Sequence, residues 1–258
     1  MMGTMRVFFL AVVLCLSGGA MASGAGRDPL PSLHWPFDGV LGTVDRQAAQ
    51  RGFQVYKEVC SACHGLHLLS YRQFEAIGFS AAEVKALASQ MTVRDGPNDA
   101  GEYYDRPGLP SDLIVGPYPN EEAARASNNG AYPPDLSLII KAREKGADYL
   151  HALLMGYTDP PENVKLHPGQ YYNRYFEGRA IAMPPPLSDN QVTYADGTEA
   201  TVDQMARDLV IFLQWAAEPE MEHRKEMGLK VVGYFLLFTI AFYIAKRRIW
   251  SRLDRHKE

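Results

Sequence analysis

The chain has 258 residues, 47% of them hydrophobic and 22% charged, with 22 Gly, 17 Pro and 3 Cys. These fractions belong to an ordinary globular protein and exclude wholesale disorder, a collagen-like repeat and a polytopic membrane protein. Three cysteines cannot build a disulfide framework, and a formal net charge of −4 argues against the basic face that nucleic acid needs.

The first residues, MMGTMRVFFLAVVLCLSGGAMASG, read as a secretory leader. Arg6 gives the positive end, Val7 to Leu16 a short apolar run, and Ala20-Met21-Ala22 a small-x-small cleavage site. The run is too short to span a bilayer. Residues 1–22 are therefore expected to be a cleaved signal peptide. Cys15 leaves with it, and the mature chain keeps Cys60 and Cys63.

Asp45 to Val59 has helical character, with Phe53 and Tyr56 near a small Gly52 that lets another helix approach. Directly after it stands Cys60-Ser61-Ala62-Cys63-His64, the C-x-x-C-H signature of covalent c-type haem. Two thiols three residues apart can add to the two vinyl groups of one porphyrin, and the adjacent His then lies under the iron. A thioredoxin-like redox pair wants a strand before it, a zinc site wants two more ligands, and a disulfide across so small a loop stabilises little. His64 is thus the expected proximal ligand.

The sixth iron ligand decides between small-molecule chemistry and closed-shell electron transfer. Met205 falls on the apolar stripe of a later helix, Met221 and Met227 lie beside the membrane, and His67 is too close to His64. Met155 ends a helical pattern, Ala147 to Met155, where core packing is expected. Met183 opens Met183-Pro184-Pro185-Pro186-Leu187, and consecutive prolines stiffen the chain that presents its sulfur. Met183 is the expected sixth ligand. A further helix begins at Thr201 with a T-x-x-Q capping box to Gln204 and carries Val202, Met205, Leu209, Phe212 and Leu213 at helical spacing. Segments 92–120 and 157–200 read as irregular.

Leu229 to Ala245 is about 17 apolar residues, near the lower limit for a spanning helix. Its tail, KRRIWSRLDRHKE, belongs on the cytoplasmic side by the positive-inside rule. The expected layout is a periplasmic body over 23–227, an anchor over 228–246 and a short basic cytoplasmic tail over 247–258. Between Ser23 and Met227 there are about 18 basic and 28 acidic residues, a net of roughly −10. Such a body favours cationic partners, with Glu121, Glu122 and the Asp95–Asp105 segment as steering candidates.

Four segments together resemble the cytochrome c1 family, the haem subunit of ubiquinol–cytochrome c reductase: RGFQVYKEVCSACHGL (51–66), ARASNNGAYPPDLSLI (124–139), YFEGRAIAMPPPLSD (175–189) and FLQWAAEPEMEHRKEMGLK (212–230). The resemblance covers nearly the whole mature chain. It implies a mainly α, class I cytochrome c-like haem domain with long irregular loops and one C-terminal transmembrane helix. It implies one haem c on Cys60 and Cys63, axial ligands His64 and Met183, and Arg125 as partner for a haem propionate. It further implies a non-catalytic electron-transfer subunit of an oxidoreductase in a bacterial inner membrane. Its partners would be cytochrome b, a Rieske iron–sulfur protein as donor and a soluble cytochrome c as acceptor, in a dimeric complex. Some relatives steady the ligand loop with a disulfide for which this chain has no cysteines.

Overall fold

A computed structural model describes residues 26–254, with side chains to Ser251; the segment expected to be a leader lies outside the described residues, as do residues 255–258. The structure is mainly helical. Helix α1 (Arg46–Glu58) starts where Asp45 accepts a hydrogen bond from the Ala48 amide (3.0 Å) and buries Ala49, Phe53, Val55 and Tyr56 on one face. It runs straight into a 3-10 turn, Cys60–Ala62. A 3-10 segment (Tyr71–Ile77) and α2 (Ala81–Ser89) follow, then α3 (Glu121–Ser127), α4 (Gly146–Met155), α5 (Val202–Ala217) and α6 (Met221–Asp254).

The core is organised by α1 crossing α5. The two approach so closely at Gly52 that a Cβ there would run into the Asp208 carbonyl and the Phe212 side chain. Beside this contact Arg51 grips Asp208, 1% exposed, through two parallel bonds (2.8 and 3.0 Å), which compensates the cost of burying the carboxylate. Around the crossing, Phe53, Phe74, Phe212 and Trp215 form an aromatic cluster with Phe53 and Phe74 centroids 4.5 Å apart.

Thr201 caps α5 by accepting from the Gln204 amide, but the Gln204 side chain bonds Asp208 instead of reaching back, so only half of the expected box forms. The supposedly irregular segments each hold a short antiparallel hairpin. β1 (Thr92–Asp95) pairs with β2 (Tyr104–Pro107), and β3 (Tyr171–Tyr172) with β4 (Ala180–Ile181). Neither first strand pair shows apolar alternation; Arg106, clamped to Asp95 and Asp112, fixes the first hairpin through charge.

Helix α6 is long and apolar enough to cross a membrane, with a mean hydropathy of 1.8 over its most apolar window and none of that window buried. A core helix is thereby excluded: Val232, Leu237 and Phe242 are each more than 60% exposed. The helix starts inside the globular body. Met221, expected beside the membrane, is 3% exposed and belongs to the core, so body and anchor share one continuous rod.

Candidate haem-binding site

The C-x-x-C-H residues sit on the tight turn that ends α1, where the amides of Cys63 and His64 both donate to the Cys60 carbonyl (3.0 and 2.9 Å). Both cysteines are free and half-buried. Burial, reinforced by the neighbouring Cys63 sulfur, pushes the Cys60 thiol up to about 12. A thiol held neutral is a poor redox nucleophile, which weighs against the thioredoxin-like reading of the pair.

His64 is half-buried and held from two sides. Its Nδ1 lies 2.7 Å from the Pro134 carbonyl, so Nδ1 carries the proton and Nε2 keeps its lone pair. Its own carbonyl accepts from the Tyr56 hydroxyl (3.0 Å). Burial lowers its pKa, against the opposing pull of the Pro134 bond and Asp135, and the imidazole is neutral at physiological pH. That is the protonation state a metal ligand requires.

The strut beneath His64 is the Pro133-Pro134-Asp135 strip, which the sequence did not single out as functional. Asp135 accepts from the His67 amide (2.9 Å) and touches its ring Nδ1 (2.6 Å). The Leu136 amide donates to Gly65, and Ser137 accepts from Leu68. The local signal was present as two prolines before an acidic residue; its destination, 70 residues back in the chain, was not. Nearby, Tyr118 reaches toward the Cys63 sulfur (4.0 Å) and is itself held by Asn128 (3.1 Å), which places the Asn-Asn-Gly segment against the haem motif.

Met183 is half-buried and packs on the core that Cys60 also touches. The loop is held without a disulfide. The Tyr157 hydroxyl donates to the Met183 carbonyl (3.1 Å), and burial pushes that phenol above its ordinary range, so it stays a proton donor. Asn173, fully buried, donates to the Leu153 carbonyl at the end of α4 (2.7 Å) and accepts from the Tyr175 amide (3.0 Å). This pins the β3–β4 hairpin, which delivers the chain to Met183. On another flank the loop borders an open cavity of about 580 Å³, lined by Tyr157, Tyr172, Pro185 and Leu187. Met155 also lines this cavity and is 42% exposed, a correction to its expected place in the core.

The other candidate ligands have occupations elsewhere. Met205 is fully buried on α5. His151 is buried against Asp203 (2.9 Å), and His34, His167 and His223 are exposed. Arg125 holds Glu121 (2.6 Å), bonds the Gly130 carbonyl and lies over the Tyr132 ring. Among the steering candidates, Asp95 and Glu121 are neutralised by their own arginines, whereas Asp99, Glu102, Asp105 and Glu122 are exposed. Two thiols and a neutral imidazole with its outer nitrogen set suit a covalently attached haem, and Met183 offers a thioether on a braced loop.

Residues 35–253 match the model of the Cytochrome C1 family. The chain is 50% identical over 227 residues to "Cytochrome c1-2, heme protein, mitochondrial" of Solanum tuberosum, covering 88% of this chain and 87% of that one. It is 44% identical over 261 residues to "Cytochrome c1" of Rhodospirillum rubrum, covering 95% and 96%. It is also 47% identical over 253 residues to "Cytochrome b/c1" of Bradyrhizobium diazoefficiens, covering 90% of this chain and 36% of that longer protein. With the family model matched over most of its length and relatives at this identity, the chain belongs to the cytochrome c1 family.

Proposed function

We propose that this chain is the membrane-anchored, haem-bearing electron-transfer subunit of a cytochrome b–c1 complex, taking electrons from a Rieske iron–sulfur protein and handing them to a soluble cytochrome c. The observation that carries the reading is His64. It follows the two cysteines on the turn that ends α1, and its Nδ1 proton is committed to Pro134, so the other ring nitrogen is free to ligate. A bound haem supplies reversible one-electron iron chemistry.

Everything else falls to the protein's own side chains. Cys60 and Cys63 would hold the porphyrin covalently, and His64 and Met183 would ligate its iron. A thioether ligand raises the potential and excludes small molecules. Tyr157 and Asn173 hold the Met183 loop at fixed reach. For Arg125 to pair with a propionate, its guanidinium would share its donors between the new carboxylate and Glu121, as Arg51 does between Asp208 and Asp196. No residue breaks or makes a covalent bond with substrate, so oxidoreductase activity belongs to the assembly. The relative named "Cytochrome b/c1" and another, the "Cytochrome b-c1 complex catalytic subunit, mitochondrial" of Candida albicans, support that partnership. In this reading residues 1–22 are a cleaved leader, the body is periplasmic, α6 crosses the inner membrane once, and the complex is dimeric.

The test is the visible spectrum of Met183→Leu beside the parent. The parent should show a low-spin, thioether-ligated haem whose covalent attachment survives denaturation, and the variant a haem still attached but of lower potential and with a labile sixth ligand. An unchanged ligand field would reassign the sixth position. Co-purification with a two-haem cytochrome b and an iron–sulfur protein tests the assembly.

A further inference from the structure

Residues 36–43 form a loop that exposes two aliphatic side chains. Val40 is 61% and Leu41 81% exposed. The loop is rigid. The Thr43 amide donates to Pro36 (3.0 Å), the Asp38 amide to Trp35 (3.0 Å), and the Asp38 carboxylate is turned back onto the Trp35 amide (2.8 Å). At Gly42 a Cβ would meet the Phe37 and Asp38 carbonyls, and Trp35 and Phe37 stack with centroids 5.6 Å apart. Two aliphatic residues are thus held out by a hydrogen-bonded loop whose charged side chain, Asp38, is 43% exposed and bonded back to the Trp35 amide.

The loop is also bolted to the root of α6, and its bonds climb that helix. Val44 and Arg46 bond the Glu222 carboxylate (2.8 and 3.0 Å). Phe37 and Gly42 accept from Lys225 Nζ (2.7 and 2.9 Å). From residue 44 to residue 42 the contact moves from position 222 to 225, toward the apolar part of α6. Leu229, where that part begins, lies about 6 Å further at 1.5 Å per residue. Val40 and Leu41 form the turn that closes the loop between its two Lys225 contacts, at Phe37 and Gly42.

We infer that the Val40–Leu41 tip dips into the outer interface of the lipid bilayer, a second membrane contact beside the anchor. The occupant is lipid because the loop is bonded to the membrane-entering helix about one turn before its apolar part begins, and because the paired aliphatic side chains suit the headgroup–acyl boundary. A single spanning helix leaves the tilt of the whole rod free; a second, spaced contact fixes the tilt of the haem domain over the surface. The inference rests on α6 being the anchor.

The test uses the full-length, haem-loaded chain in phosphatidylcholine nanodiscs, with a nitroxide on Leu41→Cys, on Phe242→Cys in α6, or on Lys85→Cys, exposed on α2. Val40→Cys serves as a second tip position. Collision with dissolved oxygen and with a neutral nickel chelate reports lipid or water. The tip labels should show an oxygen-to-nickel ratio severalfold above the Lys85 label, between that reference and the Phe242 label. A tip matching Lys85 while Phe242 reads as lipid overturns this inference alone; an aqueous Phe242 overturns the anchor and the inference with it. A tip that is aqueous in nanodiscs and shielded from both probes only in the assembled complex overturns it in favour of a protein neighbour.

Discussion

Replacing Tyr157 by Phe removes one hydroxyl and with it the bond to the Met183 carbonyl, while Asn173 and the proline run remain. A single hydrogen bond of this kind is worth about 0.5–1.5 kcal/mol net. At 1.4 kcal/mol per factor of ten, the state in which the loop has swung away should be populated about two- to tenfold more. Carbon monoxide binds reduced haem only when the sixth position is vacant, and apparent affinity scales with the fraction of competent protein. The ferrous Tyr157→Phe holoprotein should therefore bind carbon monoxide about two- to tenfold more tightly than the parent, and Met183→Leu far more tightly still. Because burial keeps the phenol protonated, the difference should hold across the neutral pH range. If Tyr157→Phe matched the parent while Met183→Leu bound freely, the tyrosine would not be holding the loop.

Gly52→Ala gains about 1 kcal/mol of helix propensity but forces a methyl into the Asp208 backbone, where overpacking costs about 1–3 kcal/mol or more. A lower urea midpoint by circular dichroism is expected; a higher one would mean the α1–α5 crossing has slack. His151 is held below its ordinary pKa chiefly by burial, with Asp203 and Asp148 opposing and Arg207 assisting. Unfolded chains therefore take up a proton near 6.5 that the folded chain refuses, and stability declines as pH falls below that value. His151→Phe should flatten this part of the curve of thermal midpoint against pH, and an unchanged slope would place the acid sensitivity elsewhere. Neutralising Asp99, Glu102 and Asp105 together should slow electron transfer to a cationic acceptor at low salt, with the difference vanishing as the screening length falls below about 8 Å. Equal rates at low ionic strength would remove this hairpin from the encounter surface.

Local signals in the sequence were reliable where the physics is local. Asp45 and Thr201 announced the starts of α1 and α5, Gly52 announced a close approach, and C-x-x-C-H announced its chemistry through spacing alone. What stayed hidden was non-local. Nothing near Pro134 says that its carbonyl will meet a ring 70 residues earlier, and nothing near Tyr157 says it will brace Met183. The β1–β2 hairpin escaped because its strands, TVRD and YDRP, are paired through Arg106 and Asp95 and not by an apolar face. Met221 was misplaced because hydropathy sees a helix entering a membrane but not the turn of it still packed in the body.

The acceptor for His64 is a main-chain oxygen, and this has an evolutionary consequence. A carboxylate in that place would draw the imidazole toward imidazolate and depress the iron's potential, and one codon change could add or delete the effect. A peptide carbonyl carries no net charge and survives every side-chain replacement at its own position. Drift along this lineage can therefore retune the opposite, thioether side step by step, while the electron-donating strength of the imidazole stays fixed unless the backbone itself is rerouted.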